Sequence, residues 1–240
     1  MGSIKEWSFV AELLNKVEKM NKSNRVKLFS LVLAVFLFQG SALARKPLII
    51  LDPAGSASHT GRKLASGYEQ GEALRFTQSL AAKLKDAANV DVETSRAAGQ
   101  EKGLHQTAAM ANKLDADLVI HLSFYKEEAA RPKLFIYHLI FNPVLDRTSY
   151  TDNQFAPVPL YQAHFRNKYQ TKVIANTIKA SLCQFENKKL FDVEGPFGIP
   201  TKPLVGICPP AITVEIGVNE ETKADLFIDP LVESLKFIAR

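Results

Sequence analysis

Residues 47–86, PLIILDPAGSASHTGRKLASGYEQGEALRFTQSLAAKLKD, carry the pattern that decides the fold. The apolar run at 47–51 stops at Asp52 and Pro53, as a buried strand does where it opens into a loop. Residues 53–68, rich in Gly, Ser and Ala, read as that loop. From Glu69 onward Ala73, Leu74, Thr77, Leu80, Ala81 and Leu84 recur at helical spacing, which predicts an amphipathic helix to about residue 86.

Strand, loop and helix open a βαβ unit, and the chain continues in the same manner. Strands are predicted at 90–94, 117–123 and 133–140, with a helix at 102–114 between the first two. This alternation favours a mainly parallel sheet with right-handed crossovers. Residues 142–160, with Pro143, Pro157, Pro159 and the polar run Asp152, Asn153 and Gln154, read as a surface insertion. Tyr161, Phe165, Tyr169, Val173, Ile178 and Leu182 then mark a long helix. Its aromatic members, with Phe155, either stack on sugar rings or pack in the core. Two further strands are expected at 203–207 and 211–218, and a closing helix at 220–239. With no repeat and no linker, the expectation is a single α/β domain whose mixed, mainly parallel sheet of about six strands is flanked by helices.

Upstream of this domain, residues 20–27 are basic, 28–38 are an unbroken run of eleven apolar residues, and 41–44 (SALA) end in a small-x-small pattern. These are the parts of a secretory signal peptide at 20–44, cut after Ala44, with 45–240 exported to the periplasm or cell envelope. Eleven apolar residues fall well short of the roughly 20 that cross a bilayer, so the membrane is met only through the signal peptide before cleavage. Residues 1–19 place Trp7, Val10, Leu14 and Val17 at helical spacing; Met20 is the expected start, and a long n-region or a short membrane-surface helix are the other readings.

Of 30 Lys/Arg and 25 Asp/Glu, six and three lie in the first 44 residues, leaving 24 against 22, a net +2, for the exported part. No basic stripe remains to neutralise a phosphate backbone, so nucleic acid is excluded as a partner. Cys183 and Cys208 both lie in the exported part, where an oxidising compartment permits a disulfide; the sequence leaves their pairing open.

Ligands of such sheets bind at the carboxyl ends of the strands, which points to residues 52–61, 123–126 and 215–219. The runs IILDPAGSASHTG (49–61), AANVDVETSR (87–96), AMANKLDADLVIHLS (109–123) and PPAITVEIGVNEE (209–221), together with Glu69, resemble the zinc-dependent N-acetylmuramoyl-L-alanine amidases. The resemblance covers nearly all of 46–240 in the right order, and it implies a muramoyl-alanine amidase type of fold and peptidoglycan as the partner. In that family a His in a DPGHGG-like loop, a Glu at the start of the first helix and a His in an SIHAN-like strand end hold a zinc ion. A further Glu, in a PAVLVE-like strand, assists as general base or polarising group. Three ligands leave one open position, where bound water becomes hydroxide near neutral pH. That hydroxide attacks the amide between the muramyl lactyl group and L-alanine.

Carried onto this chain, Glu69 matches the glutamate ligand and Glu215 the catalytic glutamate, whereas the loop histidine position is Gly55 and the second falls on Ser123. His121, on the same strand face as Ser123, and His59, in the Gly/Ser loop, are the available substitutes for a rebuilt site with Glu69. A satisfied strand histidine and a solvated loop residue are their plainer readings. His105, His138 and His164 match no family site. Two functions follow from the resemblance: a catalytically degenerate protein acting by wall binding or regulation, without zinc, or an active zinc amidase with a rearranged metal site. An unrelated exported binding protein is a third. Asp52, Glu69, Ser123 and Glu215 are expected to converge on one cleft. Gly55→His with Ser123→His is expected to raise zinc affinity on a backbone that keeps the family geometry.

If the signal reading is right, the exported protein begins at Arg45. Amino-terminal sequencing of the secreted form checks this, and an intact Met1 or Met20 refutes it.

Overall fold

The computed structural model describes residues 21, 45–103, 105–141, 159–184, 190–219 and 223–239. Apart from residue 21, the signal peptide read at 20–44 lies outside them, as do most of the insertion at 142–160 and the first residues of the helix read at 220–239.

The described elements are β1 (Leu48–Pro53), β2 (Lys63–Leu64), β3 (Gly67–Tyr68), α1 (Glu69–Ala87), β4 (Asp91–Thr94), α2 (Gln106–Leu114), β5 (Leu118–Lys126), β6 (Lys133–Leu139), α3 (Lys168–Gln184), β7 (Asp192–Ile199), β8 (Ala211–Val218) and α4 (Ile228–Leu235). Six strands form one sheet in the order β4-β1-β5-β8-β6-β7. β4, β1, β5 and β8 run parallel, β6 pairs antiparallel with β8, and β7 pairs parallel with β6 at the edge. The mixed, mainly parallel α/β sheet expected from the sequence is therefore present.

The alternation of side chains along each strand decides which face carries the core. Leu118, Ile120, Leu122 and Phe124 of β5 and Ile212, Val214, Ile216 and Val218 of β8 enter the main core, with Phe76 of α1, Ile178 of α3 and Leu231 of α4. The opposite face is covered at one end by a smaller cluster in which Ile50 and Val119 meet Ala108 and Ala111 of α2 and Leu204 and Ile207. Three helices thus pack on one face, while the other face also carries His121, Ser123, Thr213 and Glu215 in alternation. No helix among the described residues is long and apolar enough to cross a membrane.

Two expectations need correction. Residues 203–207 are not a strand: Lys202–Leu204 form a 3-10 turn with Pro203 at its start, and Gly206 has φ +84°. The segment is apolar because Leu204 and Ile207 are buried. The sixth strand is β7, whose sequence DVEGPFGI contains residues that usually break strands. It is tolerated because β7 is an edge strand, where a missing donor at Pro196 costs little. Gly195 at φ +102° lies so close to β6 that an added Cβ would stand 2.3 Å from the Ile136 carbonyl oxygen, and the register shifts there. The long helix read from Tyr161 is also divided, into a 3-10 segment Leu160–Phe165 and α3.

Phe76 and Phe124, both fully buried, meet edge to face at 5.3 Å and tie α1 to the central strand β5. Phe76→Ala is expected to destabilise the protein by about 3–5 kcal/mol, read from the shift of the urea midpoint.

Candidate functional site

Glu69 is placed by a two-residue hairpin. β2 and β3 pair Lys63 with Tyr68 and Leu64 with Gly67, so the residues just outside that pairing, Arg62 and Glu69, face one another. The Glu69 N–H donates to the Arg62 carbonyl at 2.8 Å and the Gln70 N–H to Thr60 at 3.0 Å, which satisfies two of the donors that open α1. An acid in the first helical turn also suits the helix dipole. β1 ends at Pro53, opposite Leu122, so the Phe124 N–H of β5 has no strand partner on that side; it donates to Glu69 Oε1 at 3.0 Å.

One guanidinium joins two carboxylates at this point. Arg62 donates to Glu69 through Nε at 3.2 Å, Nη2 at 2.9 Å and its backbone N–H at 3.0 Å, and through Nη1 to Glu215 Oε1 at 2.7 Å. The Tyr137 hydroxyl donates to Glu215 Oε2 at 3.2 Å, and the guanidinium lies 5.9 Å from the centre of the Tyr125 ring. Burial alone would raise the Glu69 carboxyl, but the bonds from Arg62 and the Phe124 N–H hold it below the usual carboxylate range. Burial would lower the Arg62 guanidinium, and Glu69 and Glu215 outweigh it. The Tyr137 hydroxyl is pushed up to about 12 by burial and by Glu215. Ser123 is the direct neighbour of Glu215 in the β5–β8 register.

One strand away, Asp52 is fully buried at the end of β1. It accepts hydrogen bonds from Thr107 at 2.8 Å, from His121 Nδ1 at 2.7 Å, from the Ser95 hydroxyl and from the Lys102 ammonium. Burial would raise this carboxyl, but His121 and Lys102 dominate and hold it well below the ordinary range. An ionised carboxylate only accepts, so Nδ1 of His121 carries the proton. Asp52 thereby links the loop after β4 to α2 and β5.

The other residues singled out from the sequence keep separate partners. His59 Nδ1 lies 2.9 Å from the Ser58 hydroxyl and 3.3 Å from that of Ser56, and both serines donate to Glu101. Among the described residues no group of three His, Cys, Asp or Glu side chains is placed to hold a metal ion. Cys183 and Cys208 are free, half-buried thiols. Tyr161 and Tyr169, at 49% and 82% exposure, do not form a core stripe, and Phe155 lies outside the described residues. Sequence reading missed Arg62, which has no periodic signal in its loop, and the rings of Phe135 and Tyr137, which the period-2 alternation of β6 does announce.

The sheet order and helix placement together define the fold of N-acetylmuramoyl-L-alanine amidase catalytic domains. Solved structures similar to this chain include the catalytic domain of CwlV from Bacillus (Paenibacillus) polymyxa var. colistinus, with TM-score 0.56, 15% identity, and coverage of 80% of this chain and 95% of that one. AmiC2 of Nostoc punctiforme matches with TM-score 0.57, 15% identity and coverage of 81% and 96%. Ami1 from Mycobacterium smegmatis matches with TM-score 0.55, 12% identity and coverage of 80% and 96%. No family model matches the sequence, and no curated protein matches it.

A zinc ion, which that resemblance implies, does not fit the residues as they stand. A guanidinium holds both Glu69 oxygens and one of Glu215, and Ser123 offers a neutral hydroxyl. Gly55 has φ +77°, and an added Cβ would lie 2.7 Å from the His59 carbonyl oxygen and 2.9 Å from Gln70 Cβ. A side chain at this position would meet the backbone of His59, so Gly55→His is expected to disturb the loop.

Asp52 also sets a pH dependence. Its carboxyl is depressed in the folded state, so its contribution is complete above the unfolded value of about 4 and is lost as pH falls from there towards the folded value. Asp52→Asn is expected to be about 1–3 kcal/mol less stable at pH 7 and to show a flatter stability profile below pH 4. Urea midpoints across that range check both.

Proposed function

We propose that the chain is an exported peptidoglycan-related protein of amidase fold that has lost catalysis and acts by wall binding or regulation. The observation that carries this reading is Arg62 bridging Glu69 and Glu215. Hydrolysis by a zinc amidase needs three protein ligands and one open position for water. With a guanidinium on Glu69 and a glycine crowded by backbone at position 55, the residues present do not build a three-ligand site, so water keeps its high pKa and Glu215 has no activated nucleophile to assist. Peptidoglycan as partner rests on the neighbours of like fold, which are described as N-acetylmuramoyl-L-alanine amidases. Export rests on the pattern at 20–44.

The protein is expected to purify with far less than one zinc per chain, to release no peptide from peptidoglycan, and to sediment with it. Metal analysis, an amidase assay and co-sedimentation test these in turn. Stoichiometric zinc with amidase activity, both lost on His121→Ala or His59→Ala, would establish the rearranged enzyme instead.

A further inference from the structure

The strand registers bring together a set of side chains that the bridge at Arg62 does not use. One row across the sheet reads Ser123, Glu215, Phe135 and Glu194; the next reads His121, Thr213, Tyr137 and Phe197. Phe135 therefore stands between two carboxylates. Its ring stacks on Tyr137 at 5.9 Å and 7°, Tyr125 lies at 6.2 Å on one side, and Tyr137 meets Phe197 at 6.2 Å. Tyr125 reaches Phe135 because β8 has Gly217 between them; a Cβ there would be 2.5 Å from the Tyr125 ring. Phe135 and Tyr137 are half-buried, and Phe197 is 45% exposed.

Among the described residues, the carboxylates on this face outnumber the cations paired with them. Glu69 and Glu215 share the single cation Arg62, and Glu194 makes no ion pair among the described residues. Lys133, one row away, leans on Glu127 at 3.9 Å. Beside Tyr137 in the register, the Thr213 hydroxyl is buried, with the residue at 6% exposure, and has no hydrogen-bond partner. A third anion would be repelled here. A neutral sugar would use the rings but leave Glu194 uncompensated. A cation uses both, since ring faces and carboxylates attract it together.

We propose that this face binds a ligand through an aliphatic ammonium group, seated against Phe135 and Tyr137 between Glu215 and Glu194, with the Thr213 hydroxyl as a further acceptor. The ligand's carbon stem then runs towards Phe197. That the group is borne by the cell wall rests on the function proposed above; the ammonium preference itself does not.

The test is an NMR titration with N-acetyl-lysine methylamide, which carries the ammonium, against N-acetyl-norleucine methylamide, which lacks it. The lysine compound is expected to bind saturably and to shift the Phe135 and Tyr137 ring signals, with affinity reduced roughly tenfold by Glu194→Gln or Phe135→Leu. Both variants are checked for the wild-type circular dichroism spectrum, and Glu194→Gln keeps the side-chain shape at an edge strand. Equal binding of the two compounds, or none, overturns the site. In parallel, peptidoglycan with free amines is compared with peptidoglycan whose amines are acetylated, and co-sedimentation is expected to fall roughly tenfold on acetylation. Undiminished sedimentation after acetylation removes the ammonium as the handle on the wall and leaves wall binding standing. Failure to sediment with either wall, while the lysine compound still binds, keeps the site and overturns the wall reading.

Discussion

Two carboxylates brought to the same end of a sheet need a cation between them, and in this chain the cation is part of the backbone's own continuation. Glu69 arrives with the first turn of α1 and Glu215 with the second half of β8. Left alone, partly buried acids so close would raise each other's proton affinity. Arg62 resolves this with a planar fork whose donors match carboxylates on two sides. Because Arg62 is anchored by the β2–β3 hairpin and Glu69 by the Phe124 N–H, the same contacts fix the loop, the helix start and the central strand.

Asp52 plays a comparable part deeper in the sheet, with two donors from the loop after β4 and one each from α2 and β5. The two carboxylate centres differ in exposure: Asp52 is closed off, whereas Arg62 is 46% exposed. The first is suited to holding strand ends in place. The second stands where a ligand can meet it, next to the aromatic face of β6.

Much of the fold is legible in the sequence where one period dominates. α1 begins at Glu69 because the apolar positions follow one helical face from that residue, and β1, β5 and β8 read as strands because their apolar runs are short and bounded by turn residues. β7 is not legible, since Gly195, Pro196 and Gly198 interrupt its pattern and only its edge position makes them acceptable. The segment at 203–207 misleads for the opposite reason: it is apolar and buried, yet Pro203 and Gly206 turn it. In the site, Glu69 can be found from its place at the start of α1, and Glu215 from the resemblance of its strand to the family's. Arg62 cannot, because its position follows from hairpin pairing and a backbone reversal, which leave no periodic trace. The crowding at Gly55 is likewise a property of tertiary contact with His59 and Gln70.

The interruption of β7 has a bearing on how far the sheet extends. A neighbouring chain seeking to add a strand there would meet Pro196, which offers no N–H, and a register shift opposite Gly195. A strand so broken is a poor template for edge-to-edge pairing, so the outer margin of the sheet resists polymerisation while its residue Phe197 remains open to solvent on the face.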